Sequence, residues 1–258
     1  MFKNFLLKFS LKVHSFIGNS RTRSSLYVNP TRGVDPNIEY ANSVYQDYIK
    51  ALKDIKFNLP KSKMLEVGTG ANFLVSFLFK KDFNYVKSID VSNCLDLNYD
   101  IYHFFLKKNY KLLESVKKFI KTKLDFFTFQ NFKYQVVGLE NESESNFDLI
   151  VSRAVFEHLD HPEESVKNCS KILNKNGVMI HEIDFRDHGI FTHFNLSPFY
   201  FYSIDSVFWK NTGKKFKGLP NRLTSNDYMK LFKKYFKNSK ITKIVKEKLE
   251  PSEKDKKY

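Results

Sequence analysis

Lys63-Met64-Leu65-Glu66-Val67-Gly68-Thr69-Gly70-Ala71-Asn72-Phe73-Leu74 is the stretch on which the fold turns. Its first half is a short apolar run, its second opens a helical pattern through Phe73, Leu74, Phe77 and Leu78, and two glycines stand at the joint. A strand that bends tightly into a helix needs residues that tolerate unusual backbone angles, and glycine also lets a ligand come close to the backbone. The first helical turn then offers N–H groups with no intrahelical partner, so a nucleotide-like ligand fits at this joint. About twenty residues further on, Asp90 ends the next strand, where a carboxylate can accept both hydrogen bonds of a ribose diol.

Outward from this joint, strand and helix signals alternate in the manner of a doubly wound, mostly parallel α/β sheet. The expected strands are Met64–Val67, Tyr85–Ile89, Lys133–Val137, Phe147–Val151 and Val178–Ile183, with a sixth over Ile241–Leu249. Leu95–Phe129 reads as a helical insertion rich in Tyr, Phe and Lys. Pro162, followed by Glu163 and Glu164, opens the helix before the fifth strand, with acids where the helix dipole favours them. Asn176-Gly177 is expected to turn that helix into its strand. Asp184–Leu223 has no regular period and is crowded with Phe, Tyr, His and Trp209; it follows a central strand, at the sheet edge where open α/β folds bind ligands. Ser225 is the expected cap of a last helix through Tyr228, Leu231, Phe232 and Phe236. Ahead of the sheet, Asn37–Lys53 has helical spacing, and Gly18–Asp35 is a polar connecting arm. The organisation expected is an N-terminal helical arm over 1–60, one α/β domain over 61–249 with insertions at 95–129 and 185–223, and a charged tail over 250–258.

Composition narrows the classes. A chain of 258 residues, 42% hydrophobic and 16% aromatic, is rich enough in apolar side chains to fold around a core. Its mean hydropathy of −0.43 and the lack of a long uncharged apolar run speak against a membrane span. The net charge of +15 invites nucleic acid or an anionic membrane as partner. Yet arginine, the residue suited to bidentate phosphate contacts, occurs only at Arg21, Arg23, Arg32, Arg153, Arg186 and Arg222. The rest is lysine, spread along a chain rich in Phe, Asn, Ile and Tyr, as the codon bias of an AT-rich genome produces. Cys94 and Cys169 have no CxxC or metal-ligand spacing, so reduced cysteines, no metal and a cytoplasmic location are expected. Residues 1–17 carry Phe2, Phe5, Leu6, Phe9, Val13, Phe16 and Ile17 at helical spacing. Lys8, Lys12 and His14 interrupt any signal-peptide core, which leaves two readings: a helix touching a membrane surface, or one docked on its own domain or a partner chain.

The set formed by Glu66 with the Gly68-Thr69-Gly70 turn, Asp90, and Phe147-Asp148-Leu149-Ile150-Val151 resembles the class I S-adenosylmethionine-dependent methyltransferases, over about Lys63–Ile183 and more loosely to Asp227. The resemblance implies a Rossmann-like sheet with S-adenosylmethionine as cofactor. It implies that Gly68, Thr69 and Gly70 lie against the methionine part, that Glu66 holds its ammonium end, and that Asp90, with Val91 beside it, takes the ribose. It places Gly138, Leu139 and Glu140 around adenine and Ser152 and Arg153, at the head of the run to Leu159, along the cofactor and acceptor. Asn72 stands where many members carry a third glycine, which argues against a nicotinamide-binding turn. The antiparallel hairpin that usually completes the sheet has one clear strand here. His181–His188 and Asn221-Arg222-Leu223 resemble a subgroup associated with glycan or cell-surface metabolism.

The resemblance implies methyl transfer to a small-molecule or glycan-type acceptor, at oxygen. A hydroxyl acceptor benefits from a base, and Asp184, His188 and His158 are the candidates, since they follow strand ends and an imidazole titrates near neutrality. Each has a structural alternative: His158 can pack the turn before Pro162, Asp184 can pair with Arg186, and Glu182 can bond a neighbouring strand. His193 and Phe199–Tyr202 read as the core of a lid, or as rings that stack on a sugar. Two other functions stay open. A nucleic-acid methyltransferase fits the charge, but Ser152-Arg153-Ala154 lacks the Asp/Asn-Pro-Pro-aromatic signature that grips a flipped base. A non-catalytic protein of the same fold, docked through its basic N-terminal helix, fits the fold equally well.

Overall fold

A computed structural model describes residues 36–57, 62–70, 72–93, 95, 110–122, 125–187, 196–213 and 219–244. The expected helix over residues 1–17, the arm after it, His188, His193 and the tail lie outside these residues. In chain order the elements are α1 (Pro36–Asp54), β1 (Lys63–Val67), α2 (Leu74–Phe79), β2 (Tyr85–Asp90), α3 (Tyr110–Thr122), β3 (Phe126–Phe129), β4 (Phe132–Val136), β5 (Phe147–Arg153), α4 (Pro162–Ile172), β6 (Leu173–Glu182), α5 (Ser206–Gly213) and α6 (Ser225–Tyr235). The six strands lie in the order β3-β4-β2-β1-β5-β6. All neighbours run parallel except β3 and β4. The chain leaves β1 toward β2 and β4, then returns to its other side for β5 and β6. The order therefore reverses beside β1, and the crevice at the C-terminal ends of β1, β2 and β5 is where such a sheet receives a ligand.

Apolar runs fill both faces of β1, β2 and β5, as parallel strands covered on two sides require. Met64, Val86, Phe132, Tyr134, Leu149 and Val151 meet the buried faces of α1, α2 and α3 in one core. At its centre Phe73, wholly buried, lies within ring-contact distance of Phe77, Phe119, Phe127, Phe132 and Tyr134. This anchors the chain just after the glycine turn. Helix α1 enters the same core through Ala41, Val44, Tyr45, Tyr48, Ile49 and Leu52.

The other face carries a charge. Lys87, 1% exposed, alternates away from its neighbours Val86 and Ser88 and pairs with Glu142 at 2.6 Å and Glu144 at 3.2 Å. Asn168 of α4 holds the loop that supplies these acids, donating to the carbonyls of Leu139 and Glu142 at 2.8 Å each. Burial opposes ionisation of Glu144, but hydrogen bonds from Lys63 and Tyr85 and the Lys87 charge hold its carboxyl down to about 2. Cys169, buried one residue further along α4, has its thiol pushed up to about 12 by burial.

Four expectations are corrected. Phe126–Phe129 belongs to no helix: it pairs antiparallel with β4 across Gln130-Asn131, with Gln130 at φ +53, so aromatic strand formers win once a hairpin can close. Asn176-Gly177 does not precede a strand but sits within β6, at an irregularity where pairing moves from Phe147–Leu173 to Leu149–Val178. The cap of α6 is Thr224 rather than Ser225; its hydroxyl accepts the Asp227 N–H while Asp227 accepts from the Thr224 N–H, a reciprocal capping box. Ile241–Ile244 forms no strand, and both isoleucines are exposed; the rest of that expected strand lies outside the described residues.

The described residues divide into two compact units, the sheet unit from Pro36 through Val155 together with Lys167–Glu182, and a second unit of Phe156–Val166 and the chain from Ile183 on. In the second, the aromatic stretch builds a small core of Phe201, Ile204 and Trp209. Arg222, at φ +68, fastens it by donating to the carbonyls of Ile204 at 2.9 Å and Tyr202 at 2.7 Å. No described helix is long and apolar enough to cross a membrane.

The Lys87–Glu142 pair makes a checkable claim about stability. Lys87→Met strands a buried carboxylate and is expected to lower the unfolding free energy by about 3 kcal/mol, whereas adding Glu142→Leu restores most of the loss. Denaturant unfolding of the single and double variants measures this; a double variant as unstable as the single would refute the coupling.

Candidate cofactor pocket

The glycine turn is pinned to the end of β2. The N–H groups of Gly68 and Thr69 both donate to the Ile89 carbonyl, at 2.8 and 3.2 Å. Gly68 has φ +79, and a Cβ there would lie 2.2 Å from Val155 Cγ2, so both backbone angle and space require glycine. Gly70 has φ +65, and a Cβ there would meet no atom of the described residues within 4 Å. One glycine is packed from outside, while the other borders open space. Asn72 takes over the helix start, its Oδ1 accepting the Leu74 N–H at 3.0 Å. The departure from a third glycine thus has a local purpose, an Asx turn into α2.

Two carboxylates flank the turn. Glu66, on the last turn-side positions of β1, is the register partner of Ser88 on β2 and faces α2. Its Oε2 accepts from Ser76, and from Ser88 at 3.1 Å; Thr69 Oγ1 lies 2.6 Å from Ser88 Oγ and 3.2 Å from the Ile89 carbonyl. Burial raises the Glu66 carboxyl to about 7, against the pull of the Ser76 and Ser88 hydroxyls and with a further push from Asp90. Asp90 closes β2. Its Oδ2 accepts the Gly70 N–H at 2.9 Å and its Oδ1 the Ser92 N–H at 3.3 Å. Burial holds it above the ordinary carboxylate value, opposed by backbone N–H groups of Gly70, Ser92 and Val91. Val91 is 70% exposed.

Beside Asp90, β4 ends in the remaining predicted residues. The Val137 N–H donates to the Asp90 carbonyl at 2.8 Å, which brings Gly138, Leu139 and Glu140 to the same edge. Leu139 is buried, and Glu140 folds back so that a Cβ on Gly138 would fall 2.3 Å from its Oε1. On the other flank Ser152 pairs in register with Val67, and its hydroxyl lies 2.8 Å from His181 Nδ1. Burial drives His181 down to about 3, so the ring is neutral at physiological pH. Arg153 bonds Glu182 at 2.9 Å and Asp47 of α1 at 3.4 Å, and its guanidinium lies over the Tyr40 ring. The sheet unit therefore brings Glu66, the glycine turn, Asp90, Gly138 and Ser152 to adjoining strand ends.

In the second unit Asp184 is fastened rather than loose. Its carboxylate accepts from Arg186 Nε at 2.9 Å and Nη2 at 2.7 Å, and its backbone N–H donates to Glu157 Oε1 at 3.2 Å. His158 is half-buried in a short 3-10 turn over Phe156–His158. Glu157, 3% exposed, lies in the run that the resemblance placed along the cofactor and acceptor, and the part Asn221 plays in holding that run was not legible in the sequence. Asn221 gives its amide to the carbonyls of Phe156 at 2.8 Å and Leu159 at 3.2 Å, and its N–H to Glu157 O at 2.6 Å. Among the described residues no group of three or more His, Cys, Asp or Glu is placed to hold a metal.

A family model described as a methyltransferase domain matches residues 38–235. No curated protein matches the sequence. Similar solved structures include YcgJ from Bacillus subtilis, at 15% identity and TM-score 0.37 over 54% of this chain and 50% of that one. A putative methyltransferase from Bacillus halodurans C-125 follows at 14% identity and TM-score 0.45, over 73% and 68%. Magnesium protoporphyrin IX methyltransferase from Synechocystis PCC 6803, solved with bound SAH, matches at 12% identity and TM-score 0.48 over 88% of each chain. The chain thus spans about half the length of YcgJ.

The two glycines are expected to respond differently to alanine. Gly68→Ala meets Val155 as well as an unfavourable φ and should cost about 3 kcal/mol, while Gly70→Ala meets only the angle and should cost about 1 kcal/mol. Unfolding measurements on both, and on Gly68→Ala with Val155→Ala, check this; equal losses at the two glycines would contradict the packing of Val155 on the turn.

Proposed function

The chain belongs to the methyltransferase-domain family, and from that premise we propose that it transfers a methyl group from S-adenosylmethionine to a small-molecule or glycan-type acceptor at oxygen. The observation that carries the reading is the pair of carboxylates around an open glycine. Glu66 is buried with both hydroxyl donors on one oxygen, Asp90 stands at the neighbouring strand end and accepts the Gly70 N–H, and a Cβ on Gly70 would meet no described atom within 4 Å. A ligand with a cationic amine at one end and a sugar diol at the other suits that donor and acceptor set.

In this reading Glu66 holds the amino end of the cofactor and Asp90, with Val91 beside it, the ribose. Gly68, Thr69 and Gly70 give the backbone approach, Gly138, Leu139 and Glu140 line the base, and Ser152 and Arg153 border the methionine end. The bound cofactor supplies an activated methyl group, so the protein's task is alignment and a place for the acceptor's proton. An oxygen acceptor gives up its proton as the new bond forms. We assign that proton to His158 or His188, because an imidazole's ordinary pKa suits the exchange. Asp184 is the third candidate, and its carboxylate, engaged by two Arg186 donors, also orients the segment after β6.

Titration calorimetry with S-adenosylhomocysteine tests the pocket, and transfer from labelled donor to panels of hydroxyl compounds, amines, glycans and nucleic acids tests the acceptor. Asp90→Asn keeps an acceptor for the Gly70 N–H and is expected to weaken S-adenosylhomocysteine about tenfold, some 1.4 kcal/mol, through loss of the charged acceptor. An unchanged dissociation constant would remove Asp90 from the site, transfer only to amines or nucleic acid would overturn the acceptor assignment, and no affinity for donor or product would overturn the whole reading.

A further inference from the structure

Glu66, Ser88 and Thr69 form an unbroken line of oxygens from the end of β1 to the glycine turn, with Ser76 joining from α2. Each hydroxyl has one proton to give. When Glu66 is ionised, Ser88 must donate to Glu66 Oε2, so the 2.6 Å contact between Thr69 and Ser88 takes its proton from Thr69. When Glu66 is neutral, the acid donates to Ser88, Ser88 donates to Thr69, and Thr69 turns its proton to the Ile89 carbonyl, 3.2 Å away. Both arrangements satisfy the line, with no heavy atom displaced.

We propose that Ser88 and Thr69 are positioning residues for Glu66: their hydroxyls form a reversible relay that accommodates both charge states of the carboxyl, so that an ammonium-bearing ligand binds with expulsion of one proton. In that step the Glu66 O–H bond breaks, the proton passes to water or buffer, and the relay reverses from Glu66→Ser88→Thr69→Ile89 to Thr69→Ser88→Glu66. The proposal rests on the cofactor reading of this pocket.

The surroundings favour a carboxyl that changes state. From α1, Tyr48 faces Glu66, and burial followed by the Glu66 charge raises its phenol, which keeps it neutral. From β2, Asp90 adds a like charge. Among the described residues the cation in this neighbourhood, Arg153 on β5, acts on Tyr48 and is engaged by Glu182 of β6 and Asp47 of α1. From α2 only the Ser76 hydroxyl reaches the acid. With a carboxyl raised to about 7, about half the molecules carry the proton near neutrality and most do below it.

The sign follows by linkage. Ligand binding favours the ionised form, so affinity is full above the raised value and falls as pH drops through it. For the wild-type chain, S-adenosylhomocysteine affinity is expected to rise about tenfold between pH 6 and pH 8. Calorimetry at pH 6.5 in two buffers of different ionisation heat should register release of more than about half a proton per ligand. 5′-Methylthioadenosine, which shares the adenosine and thioether but lacks the ammonium, should bind without proton release. Ser88→Ala removes a donor to the carboxylate and is expected to move the midpoint up by about one pH unit, and Ser88→Thr to restore it. Binding of S-adenosylhomocysteine that is independent of pH and free of proton exchange would overturn the relay and leave the cofactor reading standing, as would an unmoved midpoint in Ser88→Ala. Failure to bind at any pH would instead bring down the cofactor reading and the relay with it. The two-buffer comparison uses the native sequence, so it decides even if a variant does not fold.

Discussion

The Ile89 carbonyl accepts the N–H groups of both Gly68 and Thr69 in the turn after β1, and the pocket's geometry depends on that pair of hydrogen bonds. By drawing Gly68 and Thr69 onto the end of β2, it forces positive φ at the glycines, delivers the Gly70 N–H to Asp90 and sets the Thr69 hydroxyl against Ser88. Phe73 then locks the exit of the turn into a nest of rings, and Val155 fills the space behind Gly68. Rigid scaffolding on one side and an open Cα on the other is what a site needs to hold a ligand without first paying to order itself.

The central strands bury two ionisable groups on opposite faces, and they resolve the desolvation penalty differently. Lys87 keeps its charge and takes acids from a loop pinned by Asn168, so that face is structural and closed. Among the described residues Glu66 has hydroxyls rather than a cation for company, which leaves its charge unbalanced when it ionises. A buried acid without a counter-charge either carries a proton or waits for a cation from outside. That contrast, between a sealed ion pair and an acid held only by neutral donors, separates the two faces of one sheet into scaffold and site.

Much of this was legible because parallel strands write themselves as dense apolar runs. β1, β2, β4 and β5 lie within a residue or two of the expected limits, and Gly68, Gly70 and Asp90 announce the strand-end crevice. What the sequence hid is pairwise. Ser88 looks like an ordinary strand serine until register sets it beside Glu66, and Ser76 until α2 turns it inward. Phe126–Phe129 followed a lysine-rich helix and closes through Gln130-Asn131, a turn without the glycine that marks most short hairpins. Thr224 and Ser225 are both good caps, and the deciding sign was the acid three places after the threonine, Asp227. Ile241 and Ile244 offered apolar spacing but find no neighbouring strand among the described residues. Glu142, Glu144 and Asn168 come from a loop and a helix that no periodicity links to Lys87.

Cys169 gives the sheet unit a chemical character of its own. A thiol sealed inside α4, with its ionisation pushed to about 12, presents almost no nucleophile to oxidants or electrophiles while the helix stays packed. Its reactivity is therefore a clock for opening of that helix, so alkylation kinetics would time excursions of the fold without any engineered probe.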